Sequence, residues 1–162
     1  MAAAKFSLKT QGRITPVYRA LTSAWEEEIS EQIDYYLDNI IAPKSDDIMY
    51  IRNKNEKIAE KLDEIDMLLE QVSEGWKVKR MGKVDLSIMR LAVYEMKYDE
   101  EIPVSVAINE AVEIAKKYGQ DSSPSFVNGI LAKVAKKIEE WYSLDFDKPS
   151  VYADGLSWWK DL

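Results

Sequence analysis

Few residues of this chain are of types that carry out covalent chemistry. The 162 residues include no Cys and no His, which excludes thiolate nucleophiles, zinc–cysteine sites and the usual general base. Ser122, Ser123 and Ser125 lie close together, but no imidazole is present to activate them. The six glycines are scattered and match no phosphate-binding loop. The residue types therefore predict a protein that is not an enzyme and that needs no cofactor and no metal ion.

The charged residues are better suited to structure and binding. The acidic residues within 63–66 lie on a predicted amphipathic helix, which is typical of a solvated helix face. Arg90 and Glu95 instead lie in a strongly apolar helix, and Glu110 lies in the next one. Because buried charges need partners, these three residues predict a partly buried ion pair between an arginine and a carboxylate of neighbouring helices.

Charge is distributed unevenly along the chain, whose formal net charge is −7. Residues 1–25 contain four basic residues and no acidic residue, so a basic segment precedes an acidic body. Two interpretations are open: a basic arm that contacts nucleic acid, or a solvated tail. The basic residues of this segment are Lys5, Lys9, Arg13 and Arg19.

Hydrophobic periodicity predicts helices throughout. Apolar residues recur at three- and four-residue spacing, and no segment alternates as a β-strand does. We therefore expect a compact all-α domain of about six to seven helices. No run reaches the roughly 20 apolar residues of a membrane span, and the first residues lack a secretory signal, which predicts a cytoplasmic protein. The predicted helices run from Thr15 towards Trp25, from residue 28 to 40, from 47 to 72 without a break, from 85 to 98, from 104 to 118, and onwards from Ser123.

Helix ends are marked by residues that suit them. Asp85 is placed to cap its helix, and Pro103 opens the next one. Gly119 is placed for a left-handed C-terminal cap, and Ser123 with the following proline opens the last helix. Gly129 lies inside that last helix, where glycine costs about 1 kcal/mol relative to alanine. Close packing against another helix is its expected role.

One long segment resembles a known family. The pieces VDLSIMRLAVYEM, IPVSVAINEAVEIAKKYG and SPSFVNGIL, within 75–135, resemble the transcription antitermination factor family NusB in both order and spacing. Weaker similarity extends the match to about 26–138. The resemblance implies two small helical bundles and binding of the boxA element of ribosomal RNA leader transcripts together with NusE, a small-subunit ribosomal protein. It further implies action in the RNA polymerase antitermination complex and in ribosomal RNA maturation.

The resemblance also implies roles for individual residues. Ser122, Ser123, Phe126 and Asn128 match the RNA-binding surface of the family. Asp85 matches an acidic position towards the NusE interface, besides its predicted capping role. An exposed aromatic ring can stack on an unpaired base and an Asn amide can bond to a base edge. For Phe126 a second interpretation, packing in the core, is equally open.

A second candidate RNA surface is the basic connector in WKVKRMGK. Four positive charges within seven residues would raise both the affinity for RNA and its dependence on salt, although simple solvation explains them as well. The residues are Lys77, Lys79, Arg80 and Lys83.

Two segments depart from the family pattern. Family members begin with an arginine-dense helix, whereas 1–25 is sparser in charge, so it is either a rewired arm or a core element. The extension 143–162 is rich in aromatic residues, and we expect it to fold onto the body, 26–142, or to bind a partner. The alternative function is a NusB-like protein-interaction module that has weakened or lost RNA binding. Whether the free protein is a monomer or a homodimer is open.

Overall fold

The computed structural model describes residues 45–144, and this part of the chain contains α-helices and no β-strand. The prediction of an all-α protein is confirmed. Lys5, Lys9, Arg13, Arg19, the helices predicted before residue 45 and the extension from residue 145 lie outside the described residues. So does the part of the expected two-bundle arrangement that precedes residue 45. The helices are α1 (Ser45–Glu60), α2 (Leu62–Val72), α3 (Lys83–Tyr98), α4 (Val104–Tyr118) and α5 (Ser123–Leu144), with one 3₁₀ turn at Val78–Arg80.

Helix α3 forms the centre of this domain. Its residues from Leu86 to Met96 are buried on nearly all sides, as expected for a helix that is apolar around its whole circumference. The other four helices pack around it, and α4 and α5 pack along each other. The core is therefore one continuous cluster of aliphatic side chains, with Met89 and Leu131 among the fully buried ones.

The prediction of a single helix over 47–72 is wrong, because the helix is interrupted at Lys61. There the backbone has φ −105° and ψ 7°, and the Lys61 N–H donates to the Ile58 carbonyl in a tighter turn. No glycine or proline marks the break. Ile58 of α1 and Ile65 of α2 both face the core.

The boundaries of α4 and α5 confirm two predicted start signals and correct one end signal. Pro103 precedes α4, and Ser123 is the first residue of α5. Gly119 does end α4, but with φ −86° and ψ −172° it is extended rather than left-handed. Glycine is needed for space instead: a Cβ at Gly119 would lie 2.5 Å from Ser123 Cβ and 2.7 Å from the Ala115 carbonyl oxygen.

Candidate nucleic-acid interface

The segment between α2 and α3, residues 73–82, forms a tightly held connector. Glu74 and Gly75 have φ values of 50° and 95°, so two successive residues adopt the left-handed conformation. The Ser73 hydroxyl donates to the Trp76 carbonyl oxygen at 2.9 Å, and the Trp76 N–H donates to the Ser73 carbonyl oxygen at 3.2 Å. Glu70 accepts a hydrogen bond from the Val78 N–H. These hydrogen bonds hold the first part of the connector, as far as Val78, in place.

The predicted basic residues of the connector are exposed. Lys77 forms an ion pair with Glu70 at 3.2 Å, and hydrogen bonds from Lys77 and the Val78 N–H lower the pKa of the Glu70 carboxyl. Lys79 and Arg80 lie in the 3₁₀ turn, and neither forms an ion pair with the described part of the chain. Lys83 begins α3 and is also exposed. The connector therefore presents its positive charge to solvent.

Two contacts join the connector to α5. The Trp76 and Phe126 rings meet edge to face with centroids 6.4 Å apart. Glu74 forms an ion pair with Lys133 at 2.7 Å, two helical turns beyond Phe126. The two RNA surfaces expected from the sequence, the connector and the start of α5, consequently lie side by side. We call this joint surface, residues 74–83 and 122–133, the connector–α5 face.

The start of α5 does not offer all of its predicted residues to a ligand. Ser122 is exposed, and Phe126 and Asn128 are half-buried. Phe126 packs partly on the core while meeting Trp76, so the core interpretation holds in part and base stacking stays a prediction. Ser123, by contrast, is 2% exposed, and its hydroxyl accepts a hydrogen bond from the Gln120 N–H. A direct RNA contact by the Ser123 side chain is a prediction that its burial contradicts.

Gly129 does not have the packing role expected for it. The residue is exposed, and no described atom beyond its own helix lies within 4 Å of the place a Cβ would occupy. It lies one helical turn after Phe126 and one before Lys133, so it shares their face of α5. The helix backbone is therefore bare on the connector–α5 face.

Asp85 lies in the first turn of α3, but Gly82 is the N-cap and no side-chain cap is formed. The capping prediction is wrong. The Asp85 Oδ1 atom is buried, and no group in the described part of the chain donates a hydrogen bond to it. A negative charge in this position is still favoured by the positive end of the helix dipole.

The predicted interhelical arginine bridge is present, and Asp66 is one partner of Arg90. Arg90 donates two hydrogen bonds to Asp66, from Nε to Oδ1 at 2.9 Å and from Nη2 to Oδ2 at 2.7 Å. This bidentate bridge ties α3 to α2. The sequence did not indicate Asp66 as a partner of Arg90, because Asp66 had been assigned to a solvated helix face.

Glu95 belongs to a separate buried charge cluster with Lys54. Lys54 Nζ lies 3.1 Å from Glu95 Oε1 and 2.6 Å from Asp99 Oδ2, and the Lys54 and Glu95 side chains are 5% and 2% exposed. The contact with Glu95 is ionic rather than an aligned hydrogen bond. Burial raises the pKa of Glu95 to about 7, although Lys54 opposes the shift. Burial also disfavours the Lys54 charge, but the two carboxylates outweigh it and raise the Lys54 pKa.

The described residues contain no cluster of acidic side chains able to hold a metal ion. None of the helices in this part of the chain is long and apolar enough to cross a membrane.

Known proteins resemble this chain in sequence and in architecture. The model of the NusB family matches residues 15–136. The chain belongs to the NusB family. The Transcription antitermination protein NusB of Lachnoclostridium phytofermentans is 57% identical over 107 residues, which are 66% of this chain and 81% of that protein. Its counterpart in Agathobacter rectalis is 50% identical over 110 residues, 68% of this chain and 84% of that protein.

Solved NusB structures share the fold. The structure of T. maritima NusB matches with a TM-score of 0.73 and 33% identity, over 82% of this chain and 96% of that one. A crystal structure of "Antitermination Factors NusB and NusE in complex with dsRNA" matches with a TM-score of 0.70 and 21% identity, over 79% and 96% of the two chains. At that identity the second likeness establishes the NusB fold alone.

Sequence reasoning missed two residues of the connector–α5 face in this NusB-family chain. Neither Trp76 nor Lys133 was among the residues predicted from the sequence to contact RNA. An aromatic residue directly before three basic residues within four positions was the available signal for Trp76. Nothing in the sequence pairs Lys133 with Glu74, because the two residues are 59 positions apart.

Proposed function

We propose that this NusB-family chain is an RNA-binding transcription antitermination factor. In this proposal it binds boxA-type RNA of ribosomal RNA leader transcripts together with NusE. It then acts in the cytoplasm with the RNA polymerase antitermination complex and supports ribosomal RNA transcription and maturation. The names of its relatives support the antitermination role, and a related NusB has been solved with NusE and RNA.

The observation that carries the proposal is the connector–α5 face. Lys77, Lys79, Arg80 and Lys83 approach the start of α5 through the Trp76–Phe126 contact. Positive side chains beside aromatic rings suit a strand that has both phosphates and unpaired bases. This local positive charge opposes the net charge of −7, so RNA is drawn to this face rather than to the molecule at large.

The test is fluorescence anisotropy of a labelled boxA-type RNA and a scrambled control, with the full chain alone and with NusE, over a range of salt concentrations. We expect selective binding that NusE strengthens and salt weakens. Lys79→Ala and Arg80→Ala should each lower the slope of log K against log [salt] by about 0.7, the value for one single-strand phosphate. Lys57→Ala on α1, outside the connector–α5 face, is the matched control and should leave the slope unchanged.

Equal binding of both RNAs, with no effect of NusE, would contradict the proposal. The chain would then be a NusB-like protein-interaction module, which is the alternative function. Light scattering of the free protein separates a monomer from a homodimer and shows which form binds.

A further inference from the structure

Trp76 is the aromatic residue of the connector that is left uncovered. It is 58% exposed, although its ring is among the largest apolar groups a protein can bury. Phe126 touches it only edge to face, which leaves much of the indole accessible. A single exposed apolar side chain needs no explanation in itself. Its backbone and its neighbours are what distinguish Trp76.

The backbone that carries Trp76 is held in a costly conformation. Glu74 has φ 50°, and a non-glycine residue in the left-handed region costs on the order of 1 kcal/mol. The conformation persists because Ser73 bonds to both the N–H and the carbonyl of Trp76, and Lys133 holds Glu74. The backbone that carries the indole is therefore held before any ligand arrives, which reduces the entropy lost on binding.

The surroundings of Trp76 match a nucleic-acid strand. Lys77, Lys79 and Arg80 follow it directly and are exposed. On α5, Gly129 lies one helical turn after Phe126, and no described atom beyond its own helix lies within 4 Å of the place its Cβ would occupy. An exposed ring next to positive charge is the arrangement by which proteins hold single strands, with bases stacked on the ring and phosphates on the cations. A paired base within a duplex presents no free face for such stacking.

We propose that Trp76 is a preformed stacking platform for one unpaired base of the RNA bound on the connector–α5 face. This inference rests on the proposed RNA-binding function and adds a residue that contacts a base. Its occupant is a single-stranded segment of RNA rather than a protein side chain or a duplex.

The test uses the full chain and boxA-type RNAs that each carry one 2-aminopurine, whose fluorescence falls on stacking. With the wild-type protein, we expect quenching at one position beyond that of the free RNA. Trp76→Ala should abolish the quenching at that position and weaken binding by roughly 5- to 100-fold, the range for loss of one base–aromatic stack. Trp76→Phe keeps a ring and should restore most of both signals.

The salt dependence of RNA binding distinguishes base stacking from contacts between cations and phosphates. A stacked base carries no counterion, so Trp76→Ala should weaken binding by the same factor at each salt concentration and leave the slope unchanged. Lys79→Ala is the matched variant, and it should lower the slope instead. A reduced slope in Trp76→Ala would mean that the substitution had displaced the neighbouring cations, and it would overturn the inference.

Failure of the inference is distinguishable from failure of the proposed function. If the wild type binds boxA-type RNA selectively and both Trp76 variants bind it equally well with unchanged quenching, the stacking role is refuted and the function stands. If Trp76→Ala loses affinity for NusE in the absence of RNA while RNA binding is unaffected, the indole serves a protein contact. If the wild type binds no RNA, both proposals fall together.

Discussion

Replacing Glu95 by Gln should remove most of the pH dependence of stability near neutrality. Glu95 lies in the centre of α3, is 2% exposed, and has Lys54 Nζ at 3.1 Å. Burial raises its pKa from the ordinary 4.5 to about 7. Asp99, at 2.6 Å from the same ammonium group, balances the Lys54 charge and further opposes ionisation of Glu95. The folded protein thus holds a proton on Glu95 that the unfolded chain releases.

The size of the effect follows from this difference in pKa. The folded state binds the proton more tightly, so the stabilisation is complete below pH 4.5 and is lost as the pH rises through about 7. A full shift of that size corresponds to about 3 kcal/mol, because one pKa unit is worth about 1.4 kcal/mol. Between about pH 5.5 and 7.5 we therefore expect the free energy of unfolding to fall by about 2 kcal/mol.

The composition of the chain leaves few other groups that titrate in this pH range. The protein has no His, so the α-amino group is the other group whose ordinary pKa lies close to this range. Glu64 acts elsewhere: hydrogen bonds from Tyr98 and Lys61 lower its pKa from 4.5 to about 2, so its contribution is lost only as the pH falls below about 4.5. A slope near neutrality therefore reports on Glu95.

The assay is urea unfolding followed by circular dichroism at several pH values and constant ionic strength. Glu95→Gln should shift stability by a constant and flatten the slope, while Glu113→Gln, at an exposed glutamate paired with Lys116, should keep it. Lys54→Met should extend the fall in stability beyond pH 7, because loss of the cation raises the Glu95 pKa further. A wild-type stability that is flat or rises over this range, or a Glu95→Gln variant that keeps the wild-type slope, would refute the reasoning.

Two further pairs of substitutions test the fold by urea unfolding. Gly119→Ala should lower the free energy of unfolding by about 1–3 kcal/mol, since its Cβ would lie 2.5 Å from Ser123 Cβ. Gly129→Ala should raise the free energy of unfolding by up to about 1 kcal/mol, since its Cβ meets no described atom. Equal effects of the two substitutions would contradict the packing argument. Asp66→Asn should cost about 1–3 kcal/mol by removing the carboxylate bonded to Arg90. Arg90→Lys should cost a similar amount, because lysine cannot form the bidentate bridge, and wild-type stability in both variants would show that the bridge contributes nothing.

The helices were predictable because burial imposes a period on the sequence. The apolar spacing within α3, α4 and α5 indicated their type and approximate limits before any coordinates. The break at Lys61 was not predictable in the same way, because the periodicity continues across it and no glycine or proline marks it. An interruption between two amphipathic helices is decided by what each packs against, and that information lies in other helices.

The partners of the charged residues were less predictable than the helices. Arg90 and Glu95 were recognised as needing partners because they lie in an apolar helix, yet their partners Asp66 and Lys54 lie in α2 and α1. In the sequence, Lys54 and Asp66 look like exposed residues of amphipathic helices. Burial of a long charged side chain depends on the packing of whole helices, which local spacing does not encode.

Gly129 bears on both the stability of the protein and its binding of a ligand. A glycine inside a helix lowers helix stability, and this one fits no tight contact with the described residues in return. The strained residue Glu74 poses the same problem, and the two lie on the same face. Neither feature improves the core, which is complete without them. Both lie on the connector–α5 face, so a ligand that approaches the backbone closely there would explain the two costs together.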